Sequence, residues 1–100
     1  MDYVIFDLEW NQCPYGKGKE NPKLPFEIIE IGAVKMDGER NVVGTFHRIV
    51  KPVVYQHLHH RTREVVGLTE EDLQNGIPFA QAVQELSLIH ISEPTRPLYI

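Results

Sequence analysis

The chain has 100 residues, of which 42% are hydrophobic and 24% charged, and its formal net charge is −4. Length and composition predict one small globular domain or part of a larger one, with no apolar stretch long enough to span a bilayer. The negative charge argues against indiscriminate nucleic-acid binding, whose affinity comes largely from cations that meet phosphates. The single Cys13 excludes an internal disulfide, and the amino end lacks a signal-peptide pattern, so we expect a cytoplasmic protein.

The first predicted strand, from Tyr3 to Trp10, is apolar and carries two carboxylates at its carboxy end. Its near-continuous hydrophobic run is typical of a central strand covered on both faces. Asp7 and Glu9 are two residues apart, so they point to the same face of a strand, roughly 6–7 Å apart along the backbone. Hard divalent cations prefer such oxygen ligands. A strand end that reaches solvent is the alternative, but a central strand has little reason to carry two acids unless a cation meets them.

A long loop and two further strands follow. Residues 11–26 are rich in Gly, Pro, Asn and Lys and predict a loop that leaves the strand end with the acids. Residues 27–36 and 41–50 predict two strands joined by an Asp-Gly turn, too short for a crossover, so the three strands form an antiparallel meander. Glu30 interrupts the apolar pattern, either at a sheet edge or as a charge near the cation, and we expect the edge position.

The last part of the chain predicts helices. A short helix is expected over residues 59–66, ended by Gly67. Thr69 is a suitable N-cap for a second helix, since three acids follow it in the first turn, and Pro78 opens a third. The apolar stripe of this third helix is predicted to lie on the sheet. It consists of Phe79, Ala82, Val83 and Leu86.

Basic residues form two groups that have two possible explanations. The first group, in the loop after the first strand, is Lys17, Lys19 and Lys23. The second lies in an acid-free stretch over residues 41–63. It consists of Arg48, Lys51, Arg61, Arg63, His47, His57, His59 and His60. Solvated surface is the simpler interpretation of both groups, and phosphate contact is the functional one.

Four segments occur in the order and spacing found in the DEDD 3′–5′ exonucleases, and the chain resembles that family over residues 3–87. They are Phe6-Asp7-Leu8-Glu9, residues 27–34, residues 46–52, and Val66-Gly67-Leu68-Thr69 leading into residues 78–82. The family includes proofreading exonucleases of bacterial DNA polymerases, RNase T, oligoribonuclease and ERI-like RNA exonucleases. The resemblance implies an α/β fold of the ribonuclease-H-like exonuclease type. It is expected here in truncated form, as a three-stranded antiparallel meander followed by two or three helices.

The resemblance also implies roles for individual residues. Asp7 and Glu9 match the first exonuclease motif, which implies catalytic residues that bind a pair of Mg²⁺ or Mn²⁺ ions. Leu8 and Trp10 occupy places near the terminal nucleotide in family members, and Val66 stands where some relatives have a histidine near the substrate, so these three are implied substrate-binding residues. For Trp10, stacking on a base and packing in the core both stay open, and core packing is expected.

The implied function is a 3′–5′ exonuclease that hydrolyses phosphodiester bonds at the 3′ end of RNA or DNA by a two-metal mechanism. A preference for RNA is expected from the likeness to the ERI-like group. The family uses two further acids and a general base that this sequence does not supply, so the chain alone is expected to be inactive. A non-catalytic nucleic-acid-binding module and a ribonuclease-H-like endonuclease are the alternatives. Two retained acids argue against the binding module, because anions repel phosphates.

The sequence after Leu86 departs from the family pattern. Residues 1–86 are therefore interpreted as the N-terminal part of an exonuclease domain. Residues 87–100 resemble a translation of sequencing-adapter DNA, which predicts a non-native tail, and a natural divergent tail is the alternative. We expect the sheet to lack neighbouring strands beyond the meander and to leave an edge open.

Overall fold

A mixed four-stranded sheet, in the spatial order β3-β2-β1-β4, organises the fold. The computed structural model describes residues 2–88 and 95–99, the latter as backbone. The strands are β1 (Asp2–Gln12), β2 (Phe26–Met36), β3 (Val42–Ile49) and β4 (Thr95–Tyr99). β1, β2 and β3 pair antiparallel in sequence order, which confirms the predicted meander. β1 lies between β2 and β4 in the sheet order. The β2–β3 turn is held by the Asp37 carboxylate, which accepts from the backbone N–H groups of Glu39 and Asn41, both at 2.9 Å.

The fourth strand is not predicted by the sequence pattern. β4 runs parallel to β1, with Thr95 opposite Asp2 and Tyr99 opposite Phe6. An exposed strand edge can accept any extended segment, because its unpaired N–H and C=O groups are a template for pairing. The expectation of an open edge is therefore wrong over residues 2–6, while residues 7–12 extend past the pairing with β4. β4 belongs to the segment interpreted as a non-native tail, and that interpretation stays a prediction.

Three helices follow β3, within the predicted number. They are α1 (His60–Val66), α2 (Glu70–Gln74) and α3 (Phe79–Ser87). Gly67 ends α1 in the left-handed conformation, at φ 68°, where a side chain would be strained. Thr69 caps α2 reciprocally: its hydroxyl accepts from the Asp72 N–H at 3.1 Å, and the Asp72 carboxylate accepts from the Thr69 N–H at 2.9 Å. None of the helices in the described ranges is long and apolar enough to cross a membrane.

Two hydrophobic clusters cover the two faces of the sheet. The first cluster includes side chains of all three meander strands and packs against Ala82 and Leu86 of α3. Its strand members are Val4, Phe6, Leu8, Ile28, Ile31, Ala33 and Phe46. The second cluster, on the opposite face, centres on Ile29, Leu58 and Leu73 and lies under α1 and α2.

The orientation of α3 differs from the predicted stripe. Ala82 is fully buried and Leu86 is packed against the first cluster, but Phe79 and Val83 are 47% and 43% exposed. Positions four apart lie on one line along a helix, so the line through Ala82 and Leu86 rests on the sheet and the line through Phe79 and Val83 is turned outward. The helical spacing therefore predicts the helix correctly, but only two of the four residues in its predicted stripe pack against the sheet.

Candidate active site

Asp7, Glu9 and Glu30 lie on the same face of the sheet. Asp7 and Glu9 are separated by one residue of β1, and Glu9 is directly opposite Glu30 of β2. Directly opposed residues of an antiparallel pair share a face, with Cβ atoms about 4.5–5.5 Å apart. Asp7 is exposed and Glu9 is half-buried. Three carboxylates are therefore concentrated on neighbouring positions of two adjacent strands.

Glu30 does not occupy the sheet edge that its sequence context predicts. β2 lies between β3 and β1, so Glu30 is an interior position, and the pleat turns it toward Glu9. Its carboxylate oxygen Oε2 is 2.6 Å from Nε2 of His47 on β3. The pattern of apolar residues does not distinguish an edge from an acidic site, because both interrupt a buried face with a charge.

Burial and the neighbouring acids raise the pKa of the Glu9 carboxyl above its usual value. Burial is the largest cause, because it disfavours the charged form, and the negative charges of Asp7 and Glu30 add to it. Within the described residues, neither Asp7 nor Glu9 forms an ion pair with a lysine, arginine or histidine. A carboxylate in this setting gains free energy from any cation that joins it.

Gly32 keeps the space beside Asp7 open. It is the residue opposite Asp7 on β2, and on its other side it is opposite His47 of β3. A Cβ atom at this position would lie 3.7 Å from the Asp7 carbonyl oxygen and 4.0 Å from the Asp7 Cβ, which is ordinary contact. Alanine would therefore fit, whereas a longer side chain would extend over the acidic face.

The next residue on this face of β1, Asn11, fixes the segment that precedes α1. Its side chain is fully buried; Nδ2 donates to the carbonyl oxygen of His57, and Oδ1 accepts from the N–H of His59, both at 3.0 Å. An amide is suited to this position because it donates and accepts at once. The sequence pattern places Asn11 in a loop and misses this role, since an asparagine beside a β-strand pattern gives no local signal of its distant partner.

Glu27 supports the same segment from β2, where it is opposite Asn11. Its buried carboxylate accepts three backbone N–H groups, from Val53 at 2.8 Å, Val54 at 3.0 Å and Tyr55 at 2.9 Å. The backbone donors replace the water that a buried charge loses. Together, Glu27 and Asn11 attach residues 53–59 to the strands that carry the acids.

The three residues implied as substrate contacts lie in different places. Leu8 is on the face opposite to Asp7 and packs against the first hydrophobic cluster. Trp10 shares that face and is 48% exposed, so the expected core packing holds for only about half of its side chain. Val66, at the end of α1, packs against the second cluster on the acid side of the sheet. The structure brings only Val66 to the same side as the acids, and the substrate roles of all three stay predictions.

The acids fit part of a magnesium or manganese site. Mg²⁺ is usually bound by one or two protein carboxylates together with substrate phosphates and waters, and Asp7 and Glu9 supply two such groups without a neutralising side chain. In residues 2–88 no cluster of three or more His, Cys, Asp or Glu side chains could hold a metal alone. The segment 95–99 adds no carboxylate to the sheet.

Comparison with known proteins gives consistent matches. The sequence profile of an exonuclease family, RNase T, matches residues 4–91. A PolC-type DNA polymerase III of Thermotoga maritima is 41% identical over 49 residues, which are 49% of this chain and 3% of the polymerase. The nuclease domain of 3′hExo, a DEDDh family member bound to rAMP, superimposes with a TM-score of 0.78 at 19% identity. The alignment covers 98% of this chain and 50% of that domain.

A more distant fold match is exonuclease I of E. coli in complex with a 5cy-dA13 oligonucleotide, with a TM-score of 0.70 at 18% identity. It covers 98% of this chain and 20% of the exonuclease. The chain thus spans half or less of the length of each relative described. At these identities the two structural matches establish the fold.

Proposed function

Because the chain belongs to the RNase T family of exonucleases, we propose that it contributes to hydrolysis of phosphodiester bonds at the 3′ end of RNA or DNA. The observation that carries the proposal is the pair of Asp7 and Glu9 on one face of a central strand, beside Glu30 and without a basic partner in the described residues. Such an uncompensated set of acids reduces stability and is common at sites that bind cations.

Asp7 and Glu9 are the residues that would hold the metal ions. Bound Mg²⁺ or Mn²⁺ would activate a water and stabilise the leaving oxygen of the displaced nucleotide. The exposed Asp7 carboxylate is accessible from solvent, and Gly32 leaves room beside it for a phosphate. Glu9, opposite Glu30, adds the negative charge that draws a cation to this face. Two of the four acids expected for the family are therefore assigned, and we propose that the chain alone does not catalyse the reaction.

A single-stranded 3′ end of a nucleic acid is the proposed substrate. The 3′hExo structure holds rAMP and the exonuclease I structure holds a deoxyadenosine oligonucleotide, so this fold accommodates both sugars in other proteins. We keep RNA as the preferred substrate on the likeness to ERI-like enzymes. Trp10 is exposed enough to stack on a base from the opposite side of β1, and Val66 lines the acid side.

The variant Asp7→Asn in the full-length protein tests the proposal. We expect cleavage of a 5′-labelled oligonucleotide to fall on the order of 10³-fold, because metal ions supply several kcal/mol of transition-state stabilisation. Affinity for the same oligonucleotide should be kept, since a repelling charge is removed. Glu64→Gln, at an exposed position of α1, is the matched control and should cleave normally.

Product length separates the alternatives. Single-nucleotide shortening from the 3′ end supports an exonuclease, whereas internal cuts would identify an endonuclease. A wild-type protein that binds without cleaving, and an Asp7→Asn variant with unchanged behaviour, would identify a binding module.

A further inference from the structure

A polar pocket lies where β1 ends and the following loop meets the start of α1. Its volume is about 380 Å³. The side chains that give it charge come from the two basic groups of the sequence, which are far apart along the chain: Lys17 from the first group, and His59 and His60 from the second. Glu20 is the one acidic residue among those that line it in the described part of the chain.

Hydrogen bonds from Asn11 bring the two basic groups together. Asp7, Glu9 and Asn11 are every second residue of β1, so their side chains lie on one face of the sheet. Asn11 forms hydrogen bonds with the backbone of His57 and His59. Gln12, which lines the pocket, is three residues beyond Glu9, or ~10 Å along the strand. The pocket therefore continues the line of the acids past the end of β1, within reach of a nucleotide that neighbours the one held at the acids.

Lys17 and the two histidines offer N–H donors to an anion in the pocket. The rings of His59 and His60 stack with centroids 4.3 Å apart. Burial lowers the pKa of His59, and the adjacent His60 and Arg61 lower it further. Among the described residues Glu20 forms no ion pair with Lys17, His59 or His60, and its Oε2 accepts from the N–H of Gly18 at 3.1 Å. The lowered pKa favours the neutral form of His59, whose Nδ1 accepts from the N–H of Arg61 at 3.1 Å, so the Nε2–H of this ring is the donor it can offer to an anion.

Two further features of the pocket are the backbone of the loop around Lys17 and the chemistry of its lining side chains. Gly16 and Gly18 flank Lys17 at φ 100° and 81°, so the backbone around this lysine adopts a conformation that other residues disfavour. A metal ion is a poor fit, since the ammonium group of Lys17 in the lining is a cation and has no lone pair to donate. Lysine and histidine N–H groups are donors suited to phosphate oxygens.

We propose that this Lys17–His60 pocket binds a backbone phosphate of the substrate strand, on the 5′ side of the nucleotide at Asp7 and Glu9. The inference rests on the proposed function, since the strand's direction is set by its 3′ end at the acids. A phosphate contact carries no base specificity and fixes the register of the strand. The negative net charge of the protein is thus compensated locally, where the strand leaves the acidic face.

Binding measurements on the full-length protein test this site. The Asp7→Asn variant serves as background, because its cleavage is expected to be slow. Fluorescence anisotropy reports on 5′-fluorescein hexanucleotide and dinucleotide probes at several salt concentrations. In this background, Lys17→Ala/His60→Ala should weaken hexanucleotide binding several-fold and leave the dinucleotide nearly unchanged. The slope of log K against log salt should fall in magnitude by about 0.7 for each phosphate that the protein no longer neutralises.

Two single variants control for charge and for folding. Glu20→Gln should tighten hexanucleotide binding, because it removes the carboxylate and keeps an acceptor for the Gly18 N–H. Lys23→Ala removes a cation from the same loop outside the pocket and should leave the slope unchanged. Circular dichroism should show that each variant is folded, because the substituted side chains are exposed.

The outcomes separate this inference from the proposed function. A salt slope for Lys17→Ala/His60→Ala equal to that of Lys23→Ala would overturn the pocket assignment, as would equal weakening of both probes. Neither result affects the assignment of cleavage to Asp7. Conversely, absence of cleavage by the wild-type full-length protein would overturn the proposed function, and the inference that depends on it.

Discussion

Glu9 and Glu30 are directly opposed on β1 and β2, so two carboxylates share one face of the sheet interior. Like charges in this relationship destabilise a sheet by roughly 0.2–1 kcal/mol. Glu30 is 2.6 Å from His47, whereas Glu9 has no basic partner among the described residues and its pKa is raised. The sheet therefore keeps an unfavourable charge that a bound cation would relieve, and the proposed metal ions would in that way stabilise the domain.

The first prediction is that Glu9→Gln stabilises the protein at neutral pH. The substitution removes the repulsion by Asp7 and Glu30 and should raise the free energy of unfolding by roughly 0.2–1 kcal/mol. Urea denaturation measures the change, with Glu64→Gln as an exposed control of the same chemistry. A Glu9→Gln variant less stable than wild type would show that the Glu9 carboxylate makes favourable contacts.

The same substitution gives a prediction on pH. A raised pKa in the folded state means that the native protein binds the Glu9 proton more tightly than the unfolded chain. The destabilisation is therefore absent below the unfolded carboxyl pKa, about 4.3, and develops as the pH rises through the higher folded value. The stability difference between Glu9→Gln and wild type should be near zero at pH 4 and largest at pH 7. Added Mn²⁺ should stabilise wild type at pH 7 and have little effect on the variant.

Asn11→Ala is predicted to be strongly destabilising. It leaves the His57 carbonyl and the His59 N–H without partners in a buried place, at a cost of roughly 1–3 kcal/mol. Urea denaturation measures the change in stability, and amide hydrogen exchange at His59 should speed up more than at Thr69, which has its own cap. Asn75→Ala, at an exposed position, is the control. Unchanged exchange at His59 would mean that Asn11 does not hold this segment.

Much of this arrangement is predictable from local pattern. The two-residue period of β1 places Asp7 and Glu9 on one face, and the order of acids after Thr69 predicts its cap. These features depend on residues within a few positions of each other. Family resemblance then implies the metal-binding role that local chemistry leaves open, and that role stays a proposal.

The parts that the pattern misses depend on distant pairing. The bulge between Glu9 and Trp10 sets which β2 residue opposes which β1 residue, and it puts Glu27 beside Asn11. The partners of these two side chains are 26 to 48 residues away in the sequence. No local pattern encodes such a register. The rotation of α3 that exposes Phe79 also depends on residues distant in the sequence, because the shape of the sheet under the helix sets it.

The last prediction concerns Gly32, the residue opposite Asp7. Gly32→Ala should fold at least as stably as wild type, because its Cβ meets only ordinary contacts and glycine weakens a strand interior. Gly32→Leu should fold as well, but its side chain extends over the acidic face. In the full-length protein we expect it to lower Mn²⁺ affinity and cleavage at least about tenfold, since changes to the groups that surround metal ligands typically cost about 10–100-fold. Calorimetric Mn²⁺ titration and a cleavage assay measure the two effects. If Gly32→Leu binds Mn²⁺ like Gly32→Ala, the open space beside Asp7 has no part in the site, and the metal lies elsewhere on the sheet.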